Sequence, residues 1–414
     1  MSRFHFARVG LLCAAIGSSL LPALVGLAPA AVAQSLRTEI GTPLKAAQEL
    51  MKARKYKEAL AKIRDADAVA RKSPAEQLLI DRTRASAAQA AGDYETAAKS
   101  FEAALASGKL SPGDTQTIVK TLPSLYFQTK NWPRAIAALN RQLKDYGEDA
   151  QARAYLTQAY YQSGDFGKVQ KETAAAVQAA EKAGRAPSEE QLQLLANAAL
   201  RQNDKAGYVS AIEKLVVHYP KPEYWKDLLS RVESRPGFSP RLALDVYRLK
   251  LALGQPQRQS DYMEMSQLSL QAAAPAEAIA MINQAYKTKA FGAGAEAARE
   301  KRLLDLANKN AAELLQSGAA SEAQARKNKD GDGLAELGYA YVAAGKTEQG
   351  LALMNDAIKS GTAQRIEEIK LHLGVAYLTA GKKAEAIKAF KSVQGKDGTA
   401  DLARYWLLHT NRGA

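Results

Sequence analysis

Beyond residue 40, apolar or alanine positions recur at i, i+3, i+4 and i+7 in almost every window. That spacing lines one face of an α-helix. The residues between them are mostly Ala, Leu, Glu, Lys, Gln and Arg, which lose little conformational freedom in a helix. No sustained period-two run of β-branched residues occurs, so the pattern predicts an all-α chain. Gly, Pro, Asn and Asp cut it into helices of ~12–15 residues.

The cuts are periodic. Ala91-Gly92-Asp93-Tyr94, followed by Ala97, Phe101 and Ala104, is one copy, and Ser163-Gly164-Asp165-Phe166 is another. Leu337-Gly338-Tyr339-Ala340-Tyr341 leads to Gly345, Gly350, Met354 and Ala357, and Leu373-Gly374-Val375-Ala376-Tyr377 to Gly381, Ala386, Phe390 and Val393. Weaker copies begin at Lys55-Tyr56, Asn131-Trp132-Pro133 and Pro275-Ala276. One recurring position, usually small, falls at Ala59, Ala97, Ala135, Val169, Tyr208, about Ala243, Ala278, Gly350 and Ala386, in steps of 38, 38, 34, 39, 35, 35, 72 and 36. The step of 72 equals two units, so a degenerate copy is expected between Phe291 and Asp330. Each unit reads as two antiparallel helices around a tight turn, where Gly or Asn supplies the left-handed residue that ends the first helix. Small residues let the helices approach within ~8–10 Å; Phe101, Met354 and Phe390 fill between them. One unit cannot bury its own apolar face, so stacking must supply the core. An ordinary alanine-rich bundle has no reason to keep Gly and Ala in phase.

In these motifs the chain resembles the tetratricopeptide repeat family, whose 34-residue unit carries W-x2-L-G-x2-Y, a Gly, A-x3-F and a closing Pro. The resemblance implies a right-handed solenoid of stacked antiparallel helix pairs. It divides the chain into an N-terminal array (34–290), a degenerate repeat or linker (291–330), a C-terminal pair (331–400) and a capping helix (401–414). Spacings of 38 and 39, and Tyr208 where Ala is expected, depart from the family unit and should bend or divide the array. Pro220 and Trp225 match the closing Pro and opening Trp, so the Tyr219–Trp225 cluster reads as inter-repeat packing. Tyr160 matches the core Tyr, which leaves Tyr161 turned elsewhere. In the family the first helix of each unit lines a concave groove. Carrying that phase over gives Arg82, Ser86 and Gln89, then Lys120, Ser124 and Gln128, then Gln158, Tyr161 and Gln162, then Gln193, Asn197 and Arg201. Such a row suits peptide backbone and anionic groups, though it also reads as a merely solvated face. Comparable positions in the last units are Tyr339, Val342, Val375 and Leu378, an apolar set suited to packing on a neighbour.

The first 33 residues break the pattern. Arg3 and Arg8 precede an apolar stretch from Val9 to about Val32, which ends in Ala31-Val32-Ala33. A basic start, an apolar middle and a small-x-small exit predict a secretory signal peptide over 1–33. Pro22 and Pro29 interrupt the run and no basic flank follows, against a membrane anchor; Leu12 before Cys13 does not fit a lipobox. The style suggests a Gram-negative periplasm. No other apolar run is long enough to span a membrane. Cys13 is the chain's one cysteine, so a chain cleaved after Ala33 has no disulfide and relies on packing. The 414 residues carry a net charge of +14. In that compartment the charge points to acidic proteins, wall polymers or an anionic envelope surface rather than nucleic acid.

Signals for chemistry are sparse. His218, His372 and His409 lack metal-ligand spacing, and no phosphate-cradling or nucleophile-elbow motif is present. Glu189-Glu190 and Glu367-Glu368 sit where helices start, complementing the helix dipole. Asn328-Lys329-Asp330-Gly331-Asp332-Gly333 matches half of a calcium loop, but Tyr339 stands at the twelfth position, where calcium needs a bidentate Glu; a polar turn is the plainer reading. No catalytic residue, metal or cofactor is expected. The resemblance implies a non-catalytic periplasmic scaffold that binds other envelope proteins or peptides. A narrower likeness, over Tyr219–Trp225 and Leu337–Trp406, is to tetratricopeptide proteins of TonB-type energy-transduction systems. The rivals are a peptidoglycan-acting enzyme and a protein held on an anionic surface.

Overall fold

The computed structural model describes residues 36–255 and 257–411; the predicted signal peptide lies outside them. Among the described residues there are twenty α-helices, a 3-10 turn at Pro240–Leu242, and no strand. No helix among them is long and apolar enough to cross a membrane. The chain forms two compact units, up to Ala211 and from Ile212.

The first unit holds α1 (Thr38–Lys52), α2 (Tyr56–Asp67), α3 (Pro74–Ala90), α4 (Tyr94–Ala106), α5 (Pro112–Gln128), α6 (Trp132–Tyr146), α7 (Ala150–Ser163), α8 (Phe166–Lys182) and α9 (Glu189–Arg201). Each packs on the next in chain order, as helix pairs do in an α-α solenoid. The division falls inside α10 (Lys205–His218), within the stretch 34–290 that the sequence reads as one array. The second unit holds α11 (Pro222–Glu233), α12 (Ala243–Ala252), α13 (Gln259–Gln271), α14 (Pro275–Lys287), α15 (Ala297–Asn328), α16 (Gly331–Ala343), α17 (Thr347–Ser360), α18 (Ile366–Thr379), α19 (Lys383–Lys391) and α20 (Thr399–Asn411).

The expected phase holds except near Ala243, which is half-buried at the start of α12. Ala59, Ala97, Ala135, Val169, Ala278 and Ala386 are wholly buried, each on the second helix of its pair. Phe101, Met354 and Phe390 are buried beside them. Tyr208 is buried too, a phenol where the family has a methyl group. Gly92, Gly164, Gly345 and Gly381 end first helices with φ between +72° and +85°. Arg54, Lys130 and Ala273 take the same left-handed turn at φ +57°, +54° and +52°, against a steric cost of about 1–2 kcal/mol each. Helices α16 and α17 pack closest: a Cβ on Gly338 would lie 2.7 Å from the Gly350 carbonyl, and one on Gly350 would overlap the Gly338 carbonyl.

Two features of the second unit differ from the sequence reading. Between Phe291 and Asp330 there is one helix of 32 residues, α15, and no hairpin. Its one internal breaker, Gly318, keeps helical geometry, and the Tyr341 ring packs where a Cβ would stand. Second, α12 barely touches its chain neighbours α11 and α13 through the backbone. Its polar side chains reach instead to α14, α16 and α18. The 3-10 turn before it follows a segment bonded to residues 394–401: Ser239 N–H donates to the Asp397 carbonyl at 2.8 Å.

Candidate functional site

In the first unit a cleft of about 350 Å³ opens between the first helices of consecutive pairs, α5 and α7. Lys120, Pro123, Ser124 and Phe127 line it from α5, Ala152 and Tyr155 from α7, and Leu139 and Gln142 from α6. The spacing from Lys120 through Ser124 to Phe127 puts these side chains on one helical face. Pro123 lies inside α5 and removes one donor from its ladder. Phe127 meets Tyr155 edge-on at 5.6 Å and Trp132 at 5.4 Å, fixing the aromatic wall. Asp149 caps α7, accepting from the backbone N–H of Gln151 at 2.8 Å and of Ala152 at 3.1 Å.

Gln142 is the unusual member. It is 8% exposed, lines the cleft, and its side chain makes no hydrogen bond among the described residues. Its amide atoms stay open to the cleft rather than sealed in the core. A peptide group, which offers one donor and one acceptor, would pair with that amide. With Lys120 exposed on α5 and Asp149 at the start of α7 also lining it, the cleft combines a neutral amide, a cation, a carboxylate and an aromatic wall.

The row predicted from the sequence is distributed as follows. Lys120 and Ser124 lie in the cleft. Arg82 is half-buried and paired with Asp114 at the start of α5, 3.2 Å away. Ser86 and Gln89 are half-buried on α3, and Gln128 is exposed at the end of α5. Tyr161, expected to turn elsewhere, is half-buried and packs against the same apolar core as Tyr160, meeting Phe166 edge-on at 5.5 Å. Arg201 lies 5.6 Å over the same Phe166 ring, so these two predicted residues share one partner. Gln158 is half-buried and Gln162 exposed. Gln193 donates to Glu189 one turn back at 3.4 Å. Asn197 does not reach an open face: it is 6% exposed, and its Oδ1 is buried without a partner. Residues 195–199 of α9 are all buried, so Asn197 falls within a packed stretch of the helix rather than on an open face. Phe127, Tyr155 and Gln142 were not in the predicted row. Gln142 belongs to a second helix, which a first-helix phase does not sample.

The second unit holds a buried charged cluster. Arg248, 6% exposed, forms paired hydrogen bonds to Glu277 at 2.8 and 2.7 Å and one to Asp245 at 2.8 Å. Its guanidinium lies 4.5 Å over the Tyr339 ring, and the Tyr339 hydroxyl donates to Glu277 at 3.1 Å. His372 Nε2 stands 2.9 Å from Asp245 Oδ1, at ion-pair distance without hydrogen-bond alignment. Burial pushes the Asp245 carboxyl up, and His372 and Arg248 more than offset it, leaving it at about 2. Burial drives the Tyr339 hydroxyl well above the ordinary tyrosine range. The half calcium loop is a helix cap: Asp330 accepts from Gly333 N–H at 2.9 Å, and Asp332 from the N–H groups of Gln364 and Arg365 at 3.1 and 3.0 Å. The apolar positions Val375 and Leu378 flank a shallow depression opposite Ala252 and Leu253; Tyr339 and Val342 are taken up in packing within the unit.

No protein-family model matches the chain, and no curated protein does. Among solved structures it is similar to YrrB, a tetratricopeptide repeat protein described with an unusual peptide-binding site, at 15% identity over 47% of this chain and 93% of that one, TM-score 0.30. It is also similar to a tetratricopeptide repeat protein from Parabacteroides merdae, at 11% identity over 80% and 98%, TM-score 0.27. A third is the C-terminal part of a repeat-containing protein from Cytophaga hutchinsonii, at 17% identity over 64% and 93%, TM-score 0.27.

Proposed function

We propose that this chain is a non-catalytic protein-interaction scaffold whose first unit captures an extended segment of a partner in the α5–α7 cleft. The observation that carries this reading is the α5–α7 cleft itself, which sets the Gln142 amide and Lys120 beside the aromatic wall of Phe127 and Tyr155. An extended segment would place a backbone amide against Gln142, an apolar side chain against Phe127 and Tyr155, and a carboxylate near Lys120. Pre-formed walls keep the ordering cost on the protein side low. The basic start and small-x-small exit of residues 1–33 support export to a Gram-negative periplasm, where the partner would be another envelope protein.

The test is crosslinking in intact cells from a photoreactive side chain placed at Gln151, on the rim of the cleft. The captured proteins should disappear when Lys120→Glu or Gln142→Leu is introduced, with helicity unchanged. An identical capture pattern in both variants would overturn the reading.

A further inference from the structure

Helix α15 carries more open surface than its packing accounts for. Glu300, Leu303, Ala307 and Gly318 bury one side of it. Leu303 and Ala307 join a core with α13 and α14, and Gly318 lies under the Tyr341 ring of α16. Between Ala307 and Gly318 no residue is buried, so about three turns run without a core beneath them.

The outer side has an internal symmetry. Asp305, Lys309, Ala312, Leu315, Ala319, Glu322 and Arg326 follow one another in steps of three or four residues, which puts them on one helical face. Read from the other end the order is the same with each charge reversed. Asp305 stands ten residues before Leu315, and Arg326 ten after Gln316. Lys309 and Glu322 stand six away on either side, and Ala312 and Ala319 three. All seven are exposed except Glu322, which is half-buried. Leu315, at 54%, is the most exposed large apolar side chain among the described residues.

Such a face is complementary to itself. In a two-fold contact residue i of one copy meets j of the other, and j meets i. With the axis at Leu315–Gln316 and the helices antiparallel, Asp305 of each copy meets Arg326 of the other, and Lys309 meets Glu322. Leu315 enters the space over Ala312 and Ala319, whose methyl groups let the helix axes approach to ~8 Å. A parallel pairing in register would set Asp305 on Asp305 and Arg326 on Arg326, so the charges select the antiparallel one. These groups are free to take part. Asp305 makes no hydrogen bond or ion pair among the described residues. Arg326 reaches Glu322 and Asp356, both at 3.0 Å, yet its side chain stays 46% exposed.

We propose that the outer face of α15 is a self-association surface and that its partner is a second copy of this chain, docked antiparallel about Leu315–Gln316. One helix pair covers less than the ~800 Å² per partner of a standard interface, which sets the dissociation constant at roughly 10–100 μM. The surface belongs to the second unit and is independent of the α5–α7 cleft.

Sedimentation equilibrium of the purified chain is expected to show a monomer at low micromolar concentration and a dimer at several hundred micromolar. A monomer throughout would overturn the proposal. Asp305→Arg and Arg326→Asp each place like charges at both ionic contacts, so either variant alone should dimerise at least tenfold more weakly, with native far-UV circular dichroism. Mixed in equal amounts, each supplies the charge the other lacks, and a heterodimer should form as readily as the unchanged dimer. A variant that dimerises undiminished, or a mixture that stays monomeric, would count decisively against the pairing. Two leucines give a check that leaves the charges alone. Leu315→Lys should weaken the dimer at least tenfold, whereas Leu306→Lys, at a residue 47% exposed on another side of α15, should leave it unchanged. Equal behaviour of the two would remove this face as the contact.

Discussion

Ala273 keeps φ at +52° in the turn between α13 and α14, where the corresponding turns at Gly92, Gly164, Gly345 and Gly381 use glycine. The alanine Cβ crowds the carbonyl that follows. Ala273→Gly is therefore expected to raise the unfolding free energy by about 0.5–1 kcal/mol, read as a higher urea midpoint at constant slope. Asp245 gives a pH dependence with a definite sign. Its carboxyl is held at about 2 in the fold against an ordinary 3.8, so the unfolded chain takes up the proton first. The stabilisation is whole above pH ~4 and is lost as pH falls toward 2, on the order of 2 kcal/mol. Thermal unfolding of Asp245→Asn should consequently depend less on pH between 5 and 2.5 than that of the unchanged chain; parallel curves would contradict this. Legibility at this scale was uneven. Lys120 and Ser124 could be found by counting along a first helix. Gln142 could not, since it enters from a second helix, and Asn197 was misplaced because burial of α9 depends on what packs around it.

Helix boundaries were legible because turn chemistry is local. The sequence signals at Gly92-Asp93, Asn131-Trp132-Pro133 and Gly164-Asp165 all begin second helices, with Asp93, Asn131 and Asp165 as the capping side chains. Helices α16 and α17 show how far one position can matter. With both backbones in contact at Gly338 and Gly350, neither can yield to a methyl group. Gly350→Ala is expected to cost about 1–3 kcal/mol, whereas Leu315→Ala, at a residue 54% exposed on α15, should stay within about 0.5 kcal/mol. Denaturant titration of the two variants side by side checks both. The long α15 was not legible. Spacing arithmetic asked for a hairpin there, but no residue between 297 and 328 takes a left-handed turn, and one continuous helix forms.

For the whole molecule, export is the prediction furthest from the fold. Protein recovered from a periplasmic extract should begin at Gln34, as read by N-terminal sequencing, and carry a net charge of +12 after loss of Arg3 and Arg8. An uncut Met1 terminus would remove the compartment from the proposed function. What the sequence by itself determined was the all-α class, the phase of the repeat and the small residues at its contacts, because these follow from periodicities of 3.6 and about 36 residues carried by neighbouring side chains. The tertiary structure alone decided which predicted faces stay open. In the first unit, Gln142 reaches the cleft between α5 and α7 through packing of a third helix. In the second, residues 235–248 cover a face carried by Glu368, Asp397 and Asp401, more than a hundred residues away in the chain. Contacts of that separation depend on accumulated helix placement, which no local pattern encodes.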